Sequence, residues 1–325
     1  MTRQVMDASM TRTFGGYLPL EPDTPGPGSS PAGQPYSSGR ACLAAVLREM
    51  RPARLHLPGF LCDSVFLPAR ELGVDLRPYP VDLQLLPPPL ELEEQDMVLY
   101  VDYFGLCTQA VHALAKSQGE RAIVDRSQAW FSPVPEGSWS FDSARKFFGV
   151  PDGGLLCGPR DLPPAEVRNT RYTLDHLVLG RIGDAGEGLD AHRRNNALMH
   201  TGPERISLVG ERLLQHLDLT TARAARTHNF HALHAHFSAR NRLEIDASEV
   251  DAPLYYPLLL EGPVDLQAIH AAGIFAPRLW PDVLKRPGSL ASDKRLVEHL
   301  LPLPIDQRYT EADMNELAWR LDRLI

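Results

Sequence analysis

Residues 123–158 read IVDRSQAWFSPVPEGSWSFDSARKFFGVPDGGLLCG, and this stretch decides the fold. Ala122-Ile123-Val124 is a short apolar run that predicts a strand with Asp125 at its carboxyl end. Trp139-Ser140-Phe141 predicts a second strand, leading to Ser143 and, three residues on, to Lys146. Gly153-Gly154 permits a tight turn into a third apolar run, Leu155-Leu156-Cys157. In open α/β sheets ligands sit outside the carboxyl ends of the strands, so an acid and a lysine are expected at one ligand-binding edge.

An acid and an amine brought together there suit a cofactor that needs both, pyridoxal phosphate. The lysine takes its aldehyde, and the carboxylate keeps the pyridine nitrogen protonated so that the ring accepts electrons. The order Asp125, Gln128-Ala129, Ser-Phe, Lys146, then Asp152-Gly153-Gly154 resembles the sugar aminotransferases of fold-type I, the DegT/DnrJ/EryC1/StrS group. The resemblance runs from about Phe14 to the C-terminus and rests on the order and spacing of short motifs. Ser143-Ala144-Arg145-Lys146 also matches the acylating S-x-x-K pattern. That reading is discounted, because Ser292-Asp293-Lys294 is only part of the second motif required and the third is missing.

Outward from this stretch, Ser37-Ser38-Gly39-Arg40 precedes a predicted helix carrying Ala41, Leu43, Ala44, Val46 and Leu47. Hydroxyls and backbone N–H groups at a helix start suit a phosphate, while a plain serine N-cap explains the same residues. The resemblance implies a phosphate cup of Ser38, Gly39 and Ser143, with Arg40 standing where the family has a hydroxyl residue. Arg40 either adds charge to the cup or points elsewhere. A strand over Arg54–Leu57 leads to Pro58-Gly59-Phe60-Leu61-Cys62. Here the family carries an aromatic that stacks on the cofactor ring; Cys62 holds that position, and either Cys62 or Phe60 meets the ring. The run Met97–Tyr103 predicts a strong strand, with Tyr103 and Phe104 as candidate substrate contacts. Gln128 is expected beside the ring's phenolic oxygen.

Helices are expected at 64–73 and 111–117 and a strand around 76–81. Their alternation through residue 158 predicts an α/β fold with a mainly parallel sheet flanked by helices. Residues 159–203 lack clear periodicity and read as an irregular excursion that, by resemblance, reaches a neighbouring subunit's site; the family's Asn-aromatic-Arg phosphate element is not visible there. The arginines between Arg160 and Arg205, among them Arg168, Arg171, Arg181, Arg193, Arg194 and Arg205, are candidates for meeting a diphosphate. Residues 204–237 read as one long helix or two. Short strands at 257–260 and 301–305 and a final helix, begun by a capping box at Thr310 and Asp313, complete the tail. Met314, Leu317, Leu321 and Leu324 are expected on its inner face. The domain expectation is a large cofactor-binding domain over 1–225 and a smaller α/β domain over 226–325.

The 325 residues carry a formal charge of −8 with pI near 5.8 and no basic run, which argues against nucleic-acid binding. No leader-like apolar segment or membrane span is visible, so a soluble cytoplasmic protein is expected. The four cysteines form no C-x-x-C pair and read as free thiols. His228, His231, His234 and His236 read as a solvated helix face rather than a metal site. Gly183-x-x-Gly186-x-Gly188 reads as loop. The resemblance implies a homodimer that transaminates a nucleotide-linked keto-sugar with an amino acid donor. A pyridoxal phosphate enzyme with a non-sugar substrate and a cofactor-free binding protein of the same fold are the alternatives.

Overall fold

The computed structural model describes residues 12–21, 32–182 and 185–325. The expectations for residues 1–11 and for the Pro/Gly/Ser-rich stretch over 22–31 lie outside these residues. Of the glycines read as loop, Gly183 also lies outside them, while Gly186 and Gly188 fall within a helix over Ala185–Leu198. The described residues form eleven strands: β1 Phe14–Gly15, β2 Gln34–Tyr36, β3 Arg54–Pro58, β4 Asp75–Tyr79, β5 Asp96–Val101, β6 Ala122–Asp125, β7 Trp139–Phe141, β8 Gly154–Cys157, β9 Tyr255–Leu259, β10 Ile274–Phe275 and β11 Leu300–Pro304. The α-helices are α1 Gly39–Met50, α2 Asp63–Glu71, α3 Thr108–Gln118, α4 Ala144–Phe147, α5 Asp175–Ile182, α6 Ala185–Leu198, α7 Leu208–Leu214, α8 Leu219–Phe237, α9 Leu266–Ala271, α10 Ala291–His299 and α11 Glu311–Leu321.

Seven strands form one sheet in the order β2-β8-β7-β6-β5-β3-β4. The pairs from β7 through β4 are parallel, whereas β8 runs antiparallel to both β7 and β2. Val98 and Leu99 of β5 and Ile123 and Val124 of β6 are fully buried, as strands covered by helices on both faces require. Helix α1 lies over β7 and β8 and buries Leu43, Val46 and Leu47. Each such side chain contributes about 1.5–3 kcal/mol, which anchors the N-terminus of α1 at the sheet's carboxyl edge. Gly154 is required for this approach: a Cβ there would lie 2.6 Å from the Ser38 carbonyl carbon.

A second core forms around the antiparallel pair β9 and β11, where Tyr256, Leu258, Leu301 and Leu303 meet Phe230 and Phe237 of α8 and Met314 and Leu317 of α11. Strand β1 pairs in parallel with β10, so the N-terminal segment joins this second layer, and residue 225 falls inside α8 rather than at a linker. No described helix is long and apolar enough to cross a membrane.

Several expectations differ in detail. The excursion over 159–203 contains α5 and α6; the latter is so polar that its apolar period is faint. The chain over 204–237 breaks into α7 and α8, and Asp218 caps the second by accepting from Thr221 N–H at 2.9 Å. Strand β2 has Gly-Pro-rich flanks and gave no signal. Leu324 is 41% exposed beyond the end of α11, while Thr310 and Asp313 do form the reciprocal cap. The β5 strand stops at Val101; Tyr103–Gly105 is a short 3-10 turn with Phe104 at φ +57°.

Candidate active site

One cavity of about 570 Å³ opens at the carboxyl edge of the parallel strands. Its floor is a single row of the sheet, Val101 of β5, Asp125 of β6 and Phe141 of β7, which are register partners and all line the cavity. Asp125 is 4% exposed. Its Oδ1 accepts from the Ser127 N–H at 2.8 Å, and no described residue bonds its Oδ2. Next to it, Gln128 accepts the Phe104 N–H on Oε1 at 3.2 Å; this fixes the amide orientation and leaves its NH2 toward the cavity it lines.

The adjoining wall is the start of α1. Ser38 caps the helix, accepting from Ala41 N–H at 3.2 Å. Gly39 is pressed on the Phe141 ring, where a Cβ would stand 3.0 Å from a ring carbon. Arg40 follows, half-buried, with no hydrogen bond or ion pair to a described residue; burial alone lowers its pKa. Ser143 and Lys146 face the same cavity from α4. Ser143 makes no capping bond with its hydroxyl, and Lys146 is exposed. Cys62 also lines the cavity, its Sγ 3.0 Å from Ser64 Oγ.

Thus Ser38, Gly39, Arg40, Cys62, Asp125, Gln128, Ser143 and Lys146 share one cavity. Three candidates stand apart from it. Phe60 is fully buried, stacked on Tyr103 at 5.8 Å and edge-on to Trp280 at 4.5 Å. Tyr103 is equally buried and donates to the Phe60 carbonyl at 2.5 Å. Phe104 contributes only its backbone N–H, to Gln128. The 3-10 turn after β5 rotates Tyr103 and Phe104 inward; in the loop after β3, Phe60 is buried and it is Cys62 that lines the cavity.

The Asp-Gly-Gly motif serves as a latch. Asp152 is fully buried and accepts three hydrogen bonds, from Asn169 Nδ2 at 2.8 Å, Ser207 N–H at 2.8 Å and Ser207 Oγ at 2.7 Å. Burial raises its pKa against the pull of these bonds. Asn195 adds a bond to the Pro151 carbonyl at 2.9 Å. The excursion is thereby tied to the loop between α4 and β8, and its helices enter the cavity wall with His176, His192 and Asn196.

Those three residues, and Arg145, were not among the sequence candidates. Arg145 neighbours Lys146 in a run of two cations, and nothing in sequence separates their directions. Three of the six candidate arginines are committed elsewhere, Arg168 to Glu211, Arg171 to Glu204 and Arg193 to Asp190, and none of the six lines the cavity. His228 and His236 pair with Glu311 and Asp322, and the described residues contain no cluster of three or more His, Cys, Asp or Glu suited to a metal. All four cysteines are free thiols.

The arrangement holds a cup of backbone N–H groups, hydroxyls and an uncompensated guanidinium, an acid, an amide and an amine around one space. These residues fit a phosphorylated ring aldehyde: Ser38, Gly39, Arg40 and Ser143 toward its phosphate, Asp125 toward a protonated ring nitrogen, and Lys146 toward the aldehyde.

No protein-family profile matches the chain, and no curated protein does. Solved structures do. PseC of Helicobacter pylori, an aminotransferase involved in the biosynthesis of pseudoaminic acid, is 13% identical with a TM-score of 0.64, over 96% of this chain and 99% of that one. Spr1654 of Streptococcus pneumoniae, in its PLP form, is 10% identical with a TM-score of 0.60, over 96% and 94%. The sugar aminotransferase CalS13 of Micromonospora echinospora is 15% identical with a TM-score of 0.59, over 89% and 86%. The chain has the fold of these proteins along nearly its whole length.

Proposed function

We propose that this chain is a pyridoxal phosphate-dependent aminotransferase that transfers an amino group from an amino acid to a keto-sugar, the sugar being linked to a nucleotide. One observation carries the reading: Asp125, Gln128, Lys146 and the Ser38–Arg40 cup surround one cavity at the carboxyl edge of the sheet. Its whole-length likeness to sugar aminotransferases supports the same class. When bound, the cofactor would supply an electron sink for the pair released from the donor's α-carbon.

Every other part falls to the chain. Lys146 Nζ would hold the cofactor's aldehyde and, as a free amine, would accept the proton from the donor's Cα. Its exposed position lets it swing between these tasks. Asp125, fixed through Ser127, keeps a proton on the ring nitrogen by its negative charge. Gln128, fixed through Phe104, offers N–H donors to the ring's oxygen. Arg40 and the N-terminus of α1 hold the phosphate against displacement as the substrates alternate. A homodimer, with the neighbouring subunit closing the cavity mouth, accommodates a substrate larger than the cavity of one chain. The test is spectroscopic. The purified protein incubated with pyridoxal phosphate should absorb in the visible, and an amino acid donor alone should bleach that band. A protein that never takes up the cofactor would instead be a binding protein of this fold, and uptake with bleaching by amino acids but no turnover of any keto-sugar would point to a non-sugar acceptor.

A further inference from the structure

One wall of the cavity has no part in holding the cofactor. Arg145 of α4 reaches across to donate a hydrogen bond to Asn196 Oδ1 of α6, while its Nε is buried without a partner. No acid among the described residues bonds this guanidinium. Asp152, whose charge acts on it, spends its oxygens on Ser207 and Asn169. His176 is 2% exposed, and its Nδ1 and that of His192 are buried without partners. The two imidazoles lie edge-on at 5.2 Å, with the Tyr17 ring stacked on His192 at 5.9 Å. Tyr17 is itself seated by Gly188, where a Cβ would stand 1.6 Å from its hydroxyl oxygen.

The electrostatics of this wall are one-sided. Burial lowers Arg145 to about 10, with Arg40 adding to the effect. Burial, with Arg145 adding to it at both rings and His192 at His176, lowers His176 and His192 to about 4. At neutral pH the wall therefore carries one cation and two neutral rings able to donate N–H bonds, with no anion of its own. Buried nitrogens left without partners in this way cost free energy unless a ligand meets them.

We infer that Arg145, His176, His192 and Asn196 form an oxyanion subsite that binds the carboxylate of the amino acid substrate. A single guanidinium fork with neutral donors beside it suits a planar monoanion. A phosphate dianion is better served at the start of α1, where Arg40 and the helix dipole add their charge. That the carboxylate belongs to an amino acid rests on the aminotransferase reading; the subsite itself does not.

The test uses the full-length protein, with and without pyridoxal phosphate, and calorimetric titration with glutarate and separately with inorganic phosphate. Cofactor affinity is read by absorbance. Glutarate should bind, Arg145→Gln should weaken it at least ten-fold, and Arg145→Lys should recover part of the loss. Cofactor affinity should stay within about two-fold in Arg145→Gln and fall in Arg40→Gln. Asn196→Asp gives a second reading that does not depend on removing the arginine: it supplies Arg145 with a carboxylate, so glutarate binding should be lost while thermal stability holds or rises. A purely structural Arg145 predicts unchanged glutarate binding in Asn196→Asp, and that result overturns the subsite. So does phosphate binding without glutarate binding, or loss of cofactor in Arg145→Gln with glutarate affinity intact. Glutarate binding in a protein that refuses the cofactor would leave the subsite standing and the aminotransferase reading refuted.

Discussion

Replacing Asp152 tests how the excursion is held to the sheet. In Asp152→Ala the Ser207 N–H and the Asn169 amide lose their acceptor in a fully buried setting. Ser207 Oγ keeps a use, because it still accepts the Gly210 N–H at 2.9 Å. Two stranded donors at about 1–3 kcal/mol each give about 2–6 kcal/mol. Burial raises the Asp152 pKa, so the wild-type carboxylate itself carries a desolvation cost, and the lower half of that range, about 3 kcal/mol, is the expected net loss. Asp152→Asn keeps an oxygen for both donors and an NH2 that can donate to Ser207 Oγ, so about 1 kcal/mol or less is expected. Urea unfolding followed by circular dichroism measures both, with stability taken from the midpoint and slope. The raised pKa also fixes a sign: the native state favours the protonated acid, so wild-type stability should fall relative to Asp152→Asn as pH rises from about 4 through the folded pKa. An alanine variant losing less than about 1 kcal/mol, or an asparagine variant as damaged as the alanine one, would refute the latch.

Asp142 is buried beside Asp125, and burial raises it to about 7 in spite of Arg126 and the Leu155 N–H. Its native state therefore favours the proton: the stabilisation is complete below pH 4 and is lost as pH rises to about 7, and the difference in unfolding free energy between wild type and Asp142→Asn should fall by on the order of a few kcal/mol across that window. Asp125→Asn should retain measurable cofactor binding yet lose several orders of magnitude in turnover, since a neutral amide cannot sustain a charged ring nitrogen; near-normal kcat would make Asp125 a structural cap. Phe60→Leu should cost about 1–3 kcal/mol in unfolding assays through lost packing on Tyr103 and Trp280, with cofactor affinity unchanged; a selective loss of cofactor would return the residue to the site.

Much of this was legible in sequence because backbone chemistry fixed it. Apolar runs at 97–101 and 122–124 can only be buried strands, and strand ends deliver Asp125 and Lys146 to one edge whatever the surrounding packing. Ser38-Gly39 declares a helix start at the same edge. What stayed hidden depends on direction rather than pattern. Nothing in the order Arg145-Lys146 tells which cation enters the cavity wall bonded to Asn196. The inward rotation of Tyr103 and Phe104 comes from a 3-10 turn with a left-handed Phe104, a conformation no apolar period encodes. His176 and His192 sit on helices whose exposed faces carry Val178, Ile182 and Leu189, so their apolar residues do not mark an inner side. Arg168, Arg171 and Arg193 looked available and are paired with nearby Glu211, Glu204 and Asp190.

The most direct test of the account concerns Lys146. Borohydride reduction of the protein incubated with pyridoxal phosphate should fix the cofactor covalently, and peptide mapping by mass spectrometry should find it on Lys146, with Lys146→Ala unlabelled. Label on Lys116, Lys285 or Lys294, or a protein that takes no label at saturating cofactor, would contradict the account.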